Sequence, residues 1–140
     1  MKPYLTLLAL PLWLAACQSS GSPAAVHGDA LPHGEWRIVR IDDKPVSASD
    51  YRLNISTESL GAYFGCNRIH ARYRQQGDTL AIDNIASTKM YCGADSDEIR
   101  GLAALHHSSR WQTDAVKTRG GQRLTFFDAT GRARLEMQSR

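Results

Sequence analysis

A chain of 140 residues with 42% hydrophobic side chains has room for one small folded domain rather than two. Its formal charge of +3 is too small to specify a nucleic-acid partner or strong attachment to anionic lipid. No internal repeat of solenoid type is present.

Lys2 precedes an apolar run from Tyr4 to Leu14. That run is too short to span a bilayer and has the shape of the hydrophobic region of a secretory signal. It closes on Leu14-Ala15-Ala16-Cys17, which resembles the bacterial lipobox, in which the cysteine sulfur is acylated and cleavage leaves it as the new first residue. The bland alternative is an ordinary cleaved signal followed by a chance cysteine. Residues 1–16 are therefore expected to be a lipoprotein signal peptide and Cys17 the lipid-attachment residue. Each buried methylene contributes about 0.8 kcal/mol, so two or more acyl chains hold a protein stably on a membrane. Gln18 is not the aspartate that, by resemblance to lipoprotein sorting, retains such proteins in the inner membrane. The expected location is the outer membrane, with the domain facing the periplasm.

Residues 17–33 continue as a polar, Ser/Gly/Pro/Ala-rich segment that cannot bury enough surface to offset its ordering entropy. It reads as a flexible linker with a reach of roughly 20 to 25 Å. The domain is expected over 34–140, long enough for a core yet short enough to gain from a cross-link. "EWRIVRI" at 35–41 predicts a first strand, turned at Asp42-Asp43. Tyr51, Leu53 and Ile55 alternate with polar residues and predict a second. Leu60, Ala62 and Phe64 fall on even numbers, whereas Ile69, Ala71 and Tyr73 fall on odd ones. Successive strand side chains point to opposite faces, so this slip of phase demands a turn or bulge at Gly65-Cys66-Asn67, where Gly and Asn tolerate positive φ. Gly77-Asp78 marks a turn before "TLAI". Residues 95–108 predict the one helix, with Asp95 as cap, Glu98 completing a capping box, and Ile99, Leu102, Ala103 and His106 at helical spacing with Leu105 beside them. Gly101 costs that helix about 1 kcal/mol against alanine, so packing must stabilise it. "RWQTDAVK", "QRLTFFD" and "RARLEMQ", separated by Gly120-Gly121 and Ala129-Thr130-Gly131, predict an antiparallel meander.

The chemistry turns on "YFGCNRIHARYR", Tyr63 to Arg74. A metal site needs donors about 2.0 to 2.3 Å from one ion. The strand alternation after Cys66 puts His70 roughly 13 Å along an extended chain, too far to share an ion, so no metal is expected. A Cys66 nucleophile needs a free thiolate and an oriented base, and bonding to Cys92 would remove it. His27 and His33 lie in the linker, and His106-His107 suit a helix C-terminus. Arg68, His70, Arg72 and Arg74 line one strand face, which reads as a solvated row and as a candidate partner-binding surface for an acidic protein or lipid phosphates. Nucleic acid is not expected in an envelope compartment. In the remaining reading, an even cysteine pair in an oxidising compartment favours a Cys66–Cys92 disulfide, whose loop of about 27 residues contributes roughly 3 to 4 kcal/mol in the chain-entropy model.

Gly34-Glu35-Trp36-Arg37-Ile38 with "DDKPV" after it, Gly61 followed by Gly65-Cys66-Asn67, Thr88-Lys89-Met90-Tyr91-Cys92, and "LTFFDATGRARLEM" together resemble the META-domain family, the HslJ-like heat-shock lipoproteins of bacterial envelopes. The helix departs from that pattern, carrying Gly101 and Ala103-Ala104 where larger apolar residues are common. The resemblance implies an α+β fold, a small antiparallel β-barrel-like domain with one α-helix. It also implies a role in envelope stress, with links to novobiocin resistance and motility, and no established catalytic residues. The expected function is thus a non-enzymatic, monomeric, membrane-anchored lipoprotein that binds an envelope partner and needs no cofactor. Two alternatives stand beside it. One is a carrier holding a small hydrophobic ligand among Trp36, Phe64, Tyr73, Phe126 and Phe127. The other is a thiol-dependent enzyme.

Overall fold

The structure, a computed structural model, describes residues 30–116 and 121–139. The segment expected to be a signal peptide, Cys17 and most of the expected linker lie outside the described residues. The chain forms β1 (Gly34–Ile41), β2 (Lys44–Pro45), β3 (Arg52–Ile55), β4 (Ser59–Tyr63), β5 (Arg68–Gln76), β6 (Thr79–Ser87), α1 (Asp97–His107), β7 (Arg110–Ala115), β8 (Gln122–Phe127) and β9 (Ala133–Ser139). The strands pair antiparallel in chain order, apart from the two-residue β2, and β1 pairs with β9 to close an eight-stranded barrel. Among the described residues closure pairs the strands from β1 to β9, apart from β2, on both sides except along the seam between β6 and β7. The weakest seam is β6 against β7, joined by the single pair Thr79↔Arg110. The helix connects these two strands and packs on β9, β1 and β6. Among the described residues no helix is long and apolar enough to cross a membrane.

Local sequence explains most of the turns. Asp42 and Asp43 both take positive φ, the backbone that a two-residue hairpin loop needs, and the hairpin pairs Ile41 with Lys44. Gly65 sits at φ +98° where the alternation slips, and a Cβ there would lie 2.7 Å from the Tyr51 hydroxyl. Both facts require glycine. Asn67, expected to share the positive φ, does not. Its side chain is needed for bonds described below. β6 runs on to Ser87, well beyond "TLAI", because Asn84 at φ +51° forms a bulge opposite β5 and lets pairing resume at Ala86. The meander β7–β8–β9 follows the predicted segments.

The barrel interior is filled by the inward-facing alternates, among them Ile38, Leu53, Leu60, Leu124, Phe126 and Leu135, each at most 1% exposed. The core also begins earlier than Gly34. Leu31 is buried and its N–H donates to Gln75 Oε1, while Trp36 Nε1 donates to Pro32 O. A single leucine, in a stretch otherwise polar, is enough to dock the end of the linker against β5.

The helix departs from its sequence reading in phase and in cap. It starts at Asp97, Ser96 is its N-cap without a side-chain cap bond, and Asp95 is exposed. Its buried face is Glu98, Gly101, Ala104 and Leu105, while Ile99 is 55% exposed. The cause is Phe64, wholly buried from β4's end. A Cβ on Gly101 would stand 2.4 to 2.6 Å from its ring carbons. Close approach therefore selects the small-residue face of the helix over the face with more apolar bulk, and the glycine that weakens the isolated helix is the one that lets it dock.

Candidate functional site

Two polar arrangements and one outer face stand out against this barrel. The first lies where the β4–β5 loop meets the helix entry. Cys66 and Cys92 are joined by a disulfide with Cα atoms 5.9 Å apart. Between them lies Asn67, 3% exposed, with every polar group of its side chain engaged. Its Oδ1 accepts from Thr88 Oγ1 and from Met90 N–H, both at 2.8 Å. Its Nδ2 donates to Glu98 Oε1 at 2.8 Å and Met90 O at 3.0 Å, with Cys92 Sγ in contact at 2.9 Å. Its backbone N–H donates to the other Glu98 oxygen, Oε2. Glu98, 5% exposed, is thus held on both oxygens by one residue, at the end of the helix whose dipole favours a carboxyl group. The capping box foreseen for Glu98 is absent because this buried partner outcompetes the local one.

The second arrangement ties the 44–50 segment to the same helix turn. Tyr51 OH and Ser47 Oγ are 2.8 Å apart, and Ser47 donates from Oγ at 2.7 Å and from N–H at 3.0 Å to Asp97 Oδ2. Asp97 Oδ1 pairs with Arg100, which also donates to Ile41 O at the end of β1. Burial pushes the Asp97 carboxyl up, but the bonds from Arg100 and Ser47 outweigh it and hold its pKa at about 2. Burial raises the Tyr51 hydroxyl. So acidic a carboxylate is a poor base, and near neutral pH it does not draw a proton from Ser47. This chain fastens the helix rather than activating a nucleophile.

The remaining predicted residues fall on the outer face of β5. Arg68, His70, Arg72 and Arg74 alternate with buried Ile69, Ala71 and Tyr73 as expected, but the row is not uniform. Arg72 pairs with Glu58 at 3.0 Å and Arg74 with Asp83 at 3.1 Å. Arg68 and His70 make no side-chain hydrogen bond or ion pair among the described residues. His70 lies on the outward row whereas Cys66 sits in the preceding loop, so Cys66 and His70 are not assembled into one site. Within the described residues one group of metal-ligating types converges, Cys66, Cys92 and Glu98, with donor atoms within 4.8 Å of one another. The two sulfurs are bonded to each other, which leaves the carboxyl group as the only ordinary ligand of the three. His33, His106 and His107 are exposed and apart from this group.

Asn67, Glu98 and Gly101 escaped the sequence reading as a unit. The available signal was a polar residue and a glutamate flanking the cysteines, but helical phase had been read from apolar bulk. Trp36, Phe64, Tyr73 and Phe126 belong to one buried cluster.

The sequence profile of the META domain matches residues 29–140. Comparison with curated protein sequences gives no match. Among solved structures, the NMR structure of the protein from Burkholderia xenovorans superposes with a TM-score of 0.58 at 19% identity, covering 85% of this chain and 97% of that one. At that identity the likeness shows the fold alone.

Proposed function

The chain belongs to the META-domain family, and from that premise we propose that it is a non-enzymatic lipoprotein of the bacterial envelope, acting in the envelope stress response by binding a partner on the outside of its barrel. The observation that carries the reading is the filled interior: Leu124, Phe126 and Leu135 are fully buried against one another's strands, so recognition falls to the outer surface. The joined cysteines fit an oxidising compartment. The leader and Leu14-Ala15-Ala16-Cys17 support acylation at Cys17, and Gln18 supports delivery to the outer membrane with the domain in the periplasm. Heat-shock kinship and tolerance of novobiocin-type antibiotics enter here as part of the proposal, on the family resemblance.

Two measurements test it. Metabolic labelling with an alkyne fatty acid is expected to mark the chain and to fail in Cys17→Ser, with the labelled protein in the outer-membrane fraction. Photo-crosslinking across the domain surface in intact cells is expected to give a discrete adduct that grows under envelope stress. Absence of any adduct, or turnover of an envelope substrate by the domain that one polar substitution abolishes, refutes the reading.

Against the carrier alternative, four of the five aromatic residues offered for a cavity, Trp36, Phe64, Tyr73 and Phe126, fill the core, and Phe127 is half-buried outside it. The thiol-enzyme alternative would need the sulfurs of Cys66 and Cys92 to be free.

A further inference from the structure

One end of the outer face gathers two arginines and an aromatic ring on three neighbouring strands. On neighbouring strands Arg52 faces Tyr63, and Tyr63 faces Arg68, giving a cation–aromatic–cation row across β3, β4 and β5. The Arg52 guanidinium carbon stands 4.9 Å from the Tyr63 ring centroid. Arg68 has no acidic partner among the described residues. Thr88 Oγ1 accepts from Arg68 N–H and Thr88 N–H donates to Arg68 O, which brings the Lys89-Met90-Tyr91 loop alongside. There Met90 is 63% and Tyr91 93% exposed. At the other end of β5 the charges are already spent on Glu58 and Asp83.

Two hollows flank the row and share Tyr63 and Arg68 as a common wall. One, about 220 Å³, lies over Gly61 between Arg52, Asn54 and Ile69, and the other, about 540 Å³, lies between Cys66, Thr88 and Met90. Gly61 has no packing reason to be glycine. Its φ is not positive and the nearest heavy atom to a Cβ would be Asn54 Cβ at 3.9 Å. Close approach of a ligand or another backbone is one of the uses of a strand glycine, and Gly61 leaves the floor of this hollow open for it.

We propose that this end of the barrel docks an extended, acidic segment of a protein partner, one apolar side chain entering the hollow over Gly61 and flanking carboxylates pairing with Arg52 and Arg68. The inference rests on the partner-binding reading above and gives it a place and a chemistry. Arg68 has no acidic partner among the described residues, and Arg52 donates only to the Asp50 carbonyl oxygen at 3.2 Å, so two guanidinium groups beside an aromatic ring offer the charge complementarity and the planar bidentate geometry that carboxylates use. A protein is favoured over the anchoring lipid by where the chain enters. Leu31 is tied to Gln75, at the far end of β5 from Arg68, a separation of roughly 20 Å along the strand. The Arg68 end of β5 is therefore the end farther from the point where the chain enters the domain.

The test uses the full chain in its own cells, with photoreactive benzoylphenylalanine replacing Tyr91 in one strain and Arg74 in another. The expected result is a protein adduct at position 91 that maps by mass spectrometry to a segment rich in Asp and Glu. Its yield should fall at least about tenfold in Arg68→Glu and in Arg68→Gln, stay unchanged in Arg72→Gln, and return for Arg68→Glu when the mapped acidic residues are changed to lysine. Thermal melts matching the parent establish that these variants are folded. Adducts with lipid or lipopolysaccharide, a mapped segment without carboxylates, or capture indifferent to Arg68→Glu overturn the inference. Adducts from position 74 but none from 91 overturn it while leaving partner binding intact, and no adduct from any surface position removes both.

Discussion

Asn67 and Arg68 are adjacent in the chain and meet opposite fates. Asn67 is 3% exposed and bonded through its N–H, its amide protons and both lone pairs of Oδ1, whereas the Arg68 side chain reaches solvent with no partner in the described structure. The switch falls at the start of β5: Asn67 ends the preceding loop, turned under the helix entry, whereas Arg68 opens the strand on its outward face. What differs is the consequence. Buried polar groups are costly to leave unpaired, so the inner residue is fixed by stability, while an exposed arginine contributes little to folding and is free to serve binding.

The sharpest way to break this comparison is Asn67→Ala, which removes the amide donor to Glu98 Oε1 and the acceptor for Thr88 Oγ1 and Met90 N–H, leaving Glu98 only the backbone N–H of residue 67. With several buried groups left unpaired at about 1 to 3 kcal/mol each, it is expected to destabilise the domain by about 3 to 5 kcal/mol in denaturant unfolding. Pairing it with Glu98→Gln should give a combined loss smaller than the sum, because each disrupts the same network. Next comes the disulfide, with a sequence separation of 26. Reduction, or Cys66→Ala with Cys92→Ala, should lower stability by about 3 kcal/mol. Gly101→Ala comes third. Alanine gains about 1 kcal/mol of helix propensity, yet the methyl group must displace the buried Phe64 ring, so a net loss of about 1 to 2 kcal/mol is expected.

The acid limb sharpens the contrast between the two helix anchors. Asp97 titrates near 2 when folded and near 3.8 when unfolded. A depressed folded pKa gives stability that is fully present above pH 3.8 and disappears as pH falls through about 2. Asp97→Asn should flatten the decline in melting temperature over that window and leave the pH 7 to 5 range parallel to the parent. At the small end, Arg68→Gln is expected to change unfolding free energy by less than about 0.5 kcal/mol, as is Arg72→Gln despite its ion pair with Glu58. A larger loss at Arg68 would mean that the outer residue is structural after all and would erase the distinction drawn between neighbours.

Much of the barrel was legible because strand alternation is local. Ile69, Ala71 and Tyr73 face inward and Arg68, His70, Arg72 and Arg74 outward as their spacing demands, and the Gly65 phase break falls where the numbers change parity. The disulfide was legible for a different reason: two cysteines in a domain expected to be exported have few other uses. The helix face was not, because apolar bulk at Ile99 competed with a fit that depends on Phe64, thirty-odd residues away in the chain.

By itself, then, the order of residues determined the strands, their inward faces, the turn positions and the cysteine partnership, since each depends on backbone geometry or on composition within a short window. Only the tertiary structure decided that Gly101 is a contact surface, that Glu98 lies buried under Asn67, that Leu31 joins the core, and that Arg52 and Tyr63 stand beside Arg68. Those outcomes depend on which segments meet across the closed barrel, and no local window of sequence contains both members of such a meeting.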